Sequence, residues 1–482
     1  MPGCCVREPQ WDAQIVQHIA GALCARDVQR VAGAVQTLCG AVGLIQNNYF
    51  GFGTDRELEL TPNYLIIKQA TFPHPGHAHP EGSLYPLPCA KLLGGPRGRE
   101  RAFRPASIVN ISAMSYGSLS AQAVQAINRG CQLADCLHNT GEGGIAPHHD
   151  HGGGLIWQLG TGYFGARDSQ GHLDLERLVD NAARHDVRAI EIKLSQGAKP
   201  GKGGVLPAAK VTSEIAAIRG IPEGKSCLSP AWHSAFSSAD ELLDLVEDIA
   251  QRTGLPVGIK SAVGQLDFWE ELAQLMESGT RGVDFIQIDG GEGGTGAAPL
   301  VFSDHVSLPF KLGMSRVYPL FARRGLDQRI VWIGSGRLGF PAETVTAMAL
   351  GCDMVAVARE AMMAIGCIQA QRCHTGHCPA GVATQNRWLA HGLDPTLKAA
   401  RLANYMATLR HDVLDLTRAC GQPHPAGLTL EHLEIVDDRF GSRPAREVFG
   451  YQAGWGQPSA QDVAAVFERM AAGVPEPPGF RG

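Results

Sequence analysis

The sequence predicts an α/β chain: a (β/α)8 TIM barrel with an N-terminal extension and a C-terminal cysteine-rich, helical segment. Three observations carry that prediction. From Ser107 onward, short apolar or β-branched runs alternate with amphipathic helical stretches, the rhythm of parallel βα units. Polar and glycine-rich residues cluster directly after those runs, at the strand ends where such barrels keep their chemistry. The chain has 482 residues and 44% hydrophobic composition, enough core for one large decorated barrel.

Residues 1–100 read as the extension, with helical stretches near Trp11–Cys24 and Val28–Leu44 and a Pro/His-rich segment around Phe72–Pro88. The barrel domain is expected over 101–440. Its strands are predicted at Ser107–Ala113, Ala134–Asn139, Leu155–Leu159, Arg188–Lys193, Pro256–Lys260, Val283–Asp289, Ile330–Gly334 and Asp353–Val357. Helices are predicted at Leu175–His185, Ala239–Arg252, Phe268–Ser278, Ala342–Leu350 and Pro395–Cys420. A tail over 441–482 ends in the Pro/Gly-rich stretch Pro475–Gly482, expected to be disordered.

Bulk properties exclude several functions. A net charge of −5 argues against nucleic acid or an anionic membrane as the main partner, since both need a basic face. Met1–Gln10 lacks the basic and apolar regions of a secretory signal. The mainly apolar part of the stretch from Val31 to Ile45 is too short to span a bilayer, which needs about 20 apolar residues. Thirteen irregularly spaced cysteines suit a reducing, cytoplasmic setting.

Three constellations carry chemistry. Cys367, Cys373 and Cys378 can converge on one soft metal centre, and Pro379 directly follows the last of them. Spacing alone leaves open an iron–sulfur cluster, a zinc site completed by His374 or His377, or no metal. Gly334–Arg337 after the seventh strand and Val357–Arg359 after the eighth suit a phosphate, against the alternative of ordinary βα turns. Lys193 closes an apolar strand and Lys199 follows nearby; a buried lysine needs an anion, either a flavin edge, a substrate carboxylate, or Glu191 or Glu142. Met114, Ser115, Lys260 and the run Asp289–Gly296 occupy matching strand ends. His74, His77 and His79, and likewise His148, His149 and His151, read as solvated loops. Cys4-Cys5 is expected to be mobile, and Cys24, Cys39, Cys227 and Cys352 to be buried small hydrophobes.

Long ordered motifs then carry a resemblance. Ile111-Ser112-Ala113-Met114-Ser115-Tyr116-Gly117, Asn139-Thr140-Gly141-Glu142-Gly143-Gly144, Glu191–Gly204, Gly293–Pro299 and Cys367–Gln385 resemble the synthase region of the glutamate synthase family, from about Ser107 to Asp437. The resemblance implies FMN, and a [3Fe–4S] cluster on Cys367, Cys373 and Cys378. It implies reduction of 2-iminoglutarate, formed from 2-oxoglutarate and ammonia, by hydride from reduced FMN. Lys193 would lie against the flavin, with Gln196, Lys199 and Arg219 on the dicarboxylate and Glu142 near the point where ammonia arrives. Met114, Ser115, Lys260, Gly294, Thr295, Ser335, Gly336, Arg337, Ala358 and Arg359 would complete the flavin site.

The amidotransferase and β-helical domains of the family's large enzymes are not in this sequence. The expected nitrogen source is therefore free ammonia, another amine, or a separate amidotransferase subunit. No dinucleotide fingerprint follows a strand, so electrons are expected from ferredoxin or a separate reductase subunit. Trp157, Ser229–Phe236 and Gly290-Gly291-Glu292 depart from the family pattern near the expected pocket. They leave open a different amine or keto or hydroxy acid, N-alkyl amino-acid synthesis, or a non-catalytic electron-transfer role.

Overall fold

The computed structural model of the chain describes residues 63–75, 83–437 and 441–472. The expected N-terminal helices, Cys4, Cys5, Cys24, Cys39, His77, His79 and the stretch Pro475–Gly482 lie outside the described residues.

Eight parallel strands close into a barrel: β1 (Val109–Ile111), β2 (His138–Asn139), β3 (Leu155–Leu159), β4 (Val187–Lys193), β5 (Val257–Ser261), β6 (Phe285–Asp289), β7 (Val331–Ser335) and β8 (Met354–Val357). Each pairs with its neighbour in sequence, and Val355–Val357 of β8 pairs with Val109–Ile111 of β1 to close the ring. Every expected strand is present, shorter in places because only the paired core of each apolar run joins the ladder.

Helices Leu175–Arg184, Ala239–Thr253, Asp267–Met276, Pro341–Ala349 and Pro395–Ala419 fall where periodicity predicted them. Three of their starts are capped: Asp174, Ser238 and Asp394 accept from backbone N–H groups of the first turn. Helices Ala121–Ala134 and Phe310–Ala322 were not expected. The first is dominated by small and polar residues, and it packs on Pro395–Ala419 through Gly130, where a Cβ would lie 2.7 Å from Leu402. The second carries an internal proline, Pro319, which masks its helical character.

Two further sheets adorn the barrel. Tyr64–Ile67 pairs antiparallel with Leu433–Val436, which pairs with Ser442–Pro444. Val205–Leu206 and Cys227–Leu228 form a short two-stranded antiparallel sheet after β4. No helix among the described residues is long and apolar enough to cross a membrane.

The barrel interior is stratified. Leu137, Ile156, Ala189, Phe285, Val331, Ile333, Met354 and Ala356 form a buried apolar floor, distinct from the larger core between strands and helices. Two residues further along several of these strands the inward positions turn polar. Asn139, Gln158, Glu191, Lys260, Gln287 and Ser335 are all buried above the floor.

Candidate active site at the barrel mouth

Lys193 ends β4 and lies at the centre of the mouth. Its ammonium is 3.1 Å from Glu142 Oε2 and donates to Gln196 Oε1 at 3.1 Å. Of the partners foreseen for this lysine, Glu142 is the one it pairs with. Glu191, on the same strand face, lies deeper and accepts from Asn139 at 2.9 Å and Gln158 at 2.6 Å. Burial raises the Glu191 carboxyl above its usual range, with Lys260 opposing that rise, and its Oε2 is buried without a partner.

Glu142 gathers the cations. Burial by itself would lift its carboxyl; Lys193, followed by Lys199 and Arg219, outweighs that and holds it below the usual carboxylate range. Lys199 is buried, which lowers its ammonium, while Glu142 pulls it up and Lys193 pushes it down. Its Nζ donates to the Gly203 carbonyl at 3.3 Å. Arg219 ends the helix Ser213–Arg219, donates to the Tyr116 carbonyl at 3.1 Å and lies 5.1 Å from the Phe164 ring centre. Its Nε is buried without a hydrogen-bond partner.

Asp289, at the end of β6, is a hub that sequence reasoning did not single out as a site residue. It accepts from Ser335 Oγ at 2.8 Å and from the Gly197 amide at 2.9 Å, and lies 3.7 Å from the Lys260 ammonium. It thereby pins the loop that carries Gln196 and Lys199. Gly197 has to be glycine here, since a Cβ would come within 1.9 Å of the Gly290 carbonyl oxygen.

Two histidines brace the mouth from behind. His233 donates from Nε2 to the Lys193 carbonyl at 2.9 Å, while its Nδ1 takes the Tyr163 hydroxyl at 2.9 Å. Burial lowers its pKa and keeps the ring neutral. His149 overturns the expectation of a solvated loop. The segment folds into a 3-10 turn, Pro147–His149, whose last ring is fully buried, with burial pushing its pKa down to about 4. It donates from Nε2 to the Met114 carbonyl at 3.0 Å and accepts the Ala146 amide at Nδ1. Paired ring nitrogens, which local polarity cannot reveal, make this burial possible.

A second corner lies after β7 and β8. Gly336 and Arg337 both adopt positive φ, +118° and +54°, so a non-glycine residue is held in the left-handed region beside the expected phosphate site. Arg359 is half-buried and donates to the Glu292 carbonyl at 3.1 Å and to Thr295 Oγ1 at 3.3 Å. Burial lowers its pKa, and the neighbouring Arg337 guanidinium lowers it further. Two adjacent guanidiniums of like charge suit an anion such as a phosphate.

Cys367, Cys373 and Cys378 come together on the same side. Burial raises the thiols of Cys367 and Cys373, and each is raised further by its cysteine neighbours. Cys378 is buried. Among the described residues no group of three or more His, Cys, Asp and Glu side chains is arranged as a metal-holding set. The loop after β6 connects all three areas. The Gly294 carbonyl accepts from Gln196 Nε2, Thr295 meets Arg359, and Gly296 faces Cys373.

Residues 97–423 match the conserved region in glutamate synthase. The chain belongs to the glutamate synthase family.

Within that family, the chain is 40% identical over 336 residues to the glutamate synthase large subunit-like protein YerD of Bacillus subtilis, covering 69% of this chain and 64% of that protein. It is 38% identical over 319 residues to the archaeal glutamate synthase [NADPH] of Methanocaldococcus jannaschii, covering 65% and 59%. The chain thus spans less than two thirds of these relatives' own length. Among solved structures, a flavocytochrome b2 variant with sulfite bound aligns over 90% of this chain and 93% of its own at 13% identity and a TM-score of 0.46.

Of the three departures from the family pattern, one is not in the pocket. Trp157 alternates with the inward residues Ile156 and Gln158, and its ring is fully buried in the layer between strands and helices. His233 and Glu292 do touch the site's frame; Glu292 Oε2 accepts the Phe310 amide at 3.0 Å and so caps the helix behind it.

Proposed function

We propose that the chain is an FMN-dependent oxidoreductase that reductively aminates a 2-oxo acid, with 2-oxoglutarate the best fit and L-glutamate the product. One observation carries this reading: Lys193, Lys199 and Arg219 all act on the single carboxylate of Glu142. Three cations against one anion leave an excess of positive charge at the mouth, which a dicarboxylate would neutralise.

The residues present suit a flavin. Glu191 Oε2 and the Lys260 ammonium offer an acceptor and a cation inside the barrel top, and Arg337 with Arg359 offers paired guanidiniums for the phosphate. When bound, FMN would supply two-electron reduction while accepting electrons singly. Lys199 and Arg219 would hold the two substrate carboxylates, and Gln196, fixed between Lys193 and Gly294, would orient the 2-oxo carbon. Glu142, kept ionised, would draw ammonium to the mouth beside the 2-oxo carbon. The balance is a 2-oxo acid, ammonia, two electrons and two protons to an amino acid and water.

Three cysteines within one short segment, Cys367, Cys373 and Cys378, would be the thiolate ligands of an iron–sulfur cluster, [3Fe–4S] by ligand number, with ferredoxin or a separate reductase subunit as electron source. A separate amidotransferase subunit, or free ammonia, would supply nitrogen. Titrating the oxidised flavin spectrum with 2-oxoglutarate tests the substrate assignment. Saturable perturbation should be lost in Lys199→Ala. Unchanged binding and turnover in that variant would contradict the assignment.

A further inference from the structure

Lys210 is used by none of the roles above, yet it is 4% exposed. It ends the 3-10 turn Ala208–Lys210, which follows the strand Val205–Leu206. Its ammonium donates to three backbone carbonyls: Cys373 at 2.7 Å, Ala383 at 3.1 Å and Ser118 at 3.2 Å. These oxygens belong to two points of the cysteine segment and to the loop that follows β1. Three donors meet three acceptors, so the hydrogen bonding is complete.

The charge is not. Among the described residues no carboxylate pairs with Lys210, and the groups that act on it electrostatically are the thiols of Cys373 and Cys378. Carbonyl dipoles solvate an ammonium but do not cancel it, and a buried cation without a counter-ion is costly. Lys91, elsewhere in the molecule, shows the ordinary solution: two carbonyls and a carboxylate, Asp353, at 3.0 Å.

We propose that Lys210 is the fixed counter-charge of the iron–sulfur cluster, a positioning residue that clamps the cysteine segment to the barrel and raises the cluster's reduction potential. This rests on the cluster reading given under Proposed function. A thiolate-bound cluster is anionic and gains a further negative charge on one-electron reduction. A neighbouring positive charge in a low-dielectric setting favours the reduced form. Arg359, which acts on Cys367, stands as a second cation at the other cysteine and is left unchanged in the test.

The test compares the anaerobically purified full chain with Lys210→Gln and Lys210→Arg. Iron, sulfide and flavin contents are measured, followed by a dithionite titration monitored by electron paramagnetic resonance. Lys210→Gln keeps hydrogen-bond donors and removes the charge. Its midpoint should fall by at least a tenfold change in the one-electron equilibrium, about 59 mV. Lys210→Arg should stay near the wild-type value. Loss of iron in Lys210→Gln alone, with flavin retained, also supports the counter-charge. Equal potentials in all three proteins overturn it, as does iron loss in both variants with flavin retained, which would mark a purely steric clamp. Wild-type protein without iron and sulfide would instead overturn the cluster reading itself.

Discussion

Leu137, just before β2, and Ile156, Ala189 and Phe285, on β3, β4 and β6, stand two residues before Asn139, Gln158, Glu191 and Gln287. One step of the pleat, roughly 6.6 Å along a parallel strand, separates an apolar floor from a polar mouth. At the floor, volume and apolarity suffice. At the mouth several charged groups have named counterparts: Lys193 with Glu142, Lys260 with Asp289, Glu191 with two amides. Fold and site are therefore built on one scaffold but held by different forces, and substitutions should separate them.

The largest effect should come from the floor. Phe285→Ala empties a fully buried ring site and should cost about 3–5 kcal/mol in denaturant unfolding, while protein that remains folded keeps its flavin affinity. An equally large loss of flavin affinity in the folded fraction would show that floor and mouth are not separable. Next is the buried histidine behind the mouth. His149 is pushed down to about 4 when folded, against about 6.5 in an open chain. Above pH 6.5 both states are neutral and its contribution is intact. As pH falls from 6.5 to 4, the unfolded chain takes a proton that the folded one refuses, so up to about 3 kcal/mol is lost. Thermal melts across that window should show the decline, to which the buried His138, His233 and His424 also contribute, and His149→Gln should make it shallower.

Substrate selectivity comes third. Arg219→Gln should lower kcat/KM for a dicarboxylic 2-oxo acid about a hundredfold, close to 3 kcal/mol, and leave a monocarboxylic one nearly unaffected. Equal losses for both would remove Arg219 from the distal carboxylate. Arg337→Gln should weaken flavin binding about tenfold, measured by equilibrium dialysis. Smallest is Glu191→Gln, which removes a buried charge but retains shape; stability should change by less than about 1 kcal/mol.

What was legible from sequence follows the same division. Strand positions were readable because each apolar run is both continuous and bounded by glycine or polar residues, as in Val283–Asp289 before Gly290-Gly291. Of the mouth residues, Lys193 and Lys199 were singled out as cations at a strand end, and Gln196 and Arg219 through motif resemblance. Asp289, His149 and Lys210 were not, because their importance lies in contacts between segments far apart in the chain. Lys210 joins residues 118, 373 and 383, and nothing in its local string, Ala-Ala-Lys-Val, signals burial. Helix Ala121–Ala134 escaped for a related reason: Gly130 argues against a helix locally but permits close packing against Leu402.

The measurement that bears most directly on the central claim is a single turnover. Anaerobic, chemically reduced protein is mixed with 2-oxoglutarate and ammonium while flavin absorbance is followed. The account predicts rapid reoxidation that requires both reagents and yields one glutamate per two electrons. Flavin that stays reduced with both present, in protein shown to bind 2-oxoglutarate, would contradict reductive amination at this site.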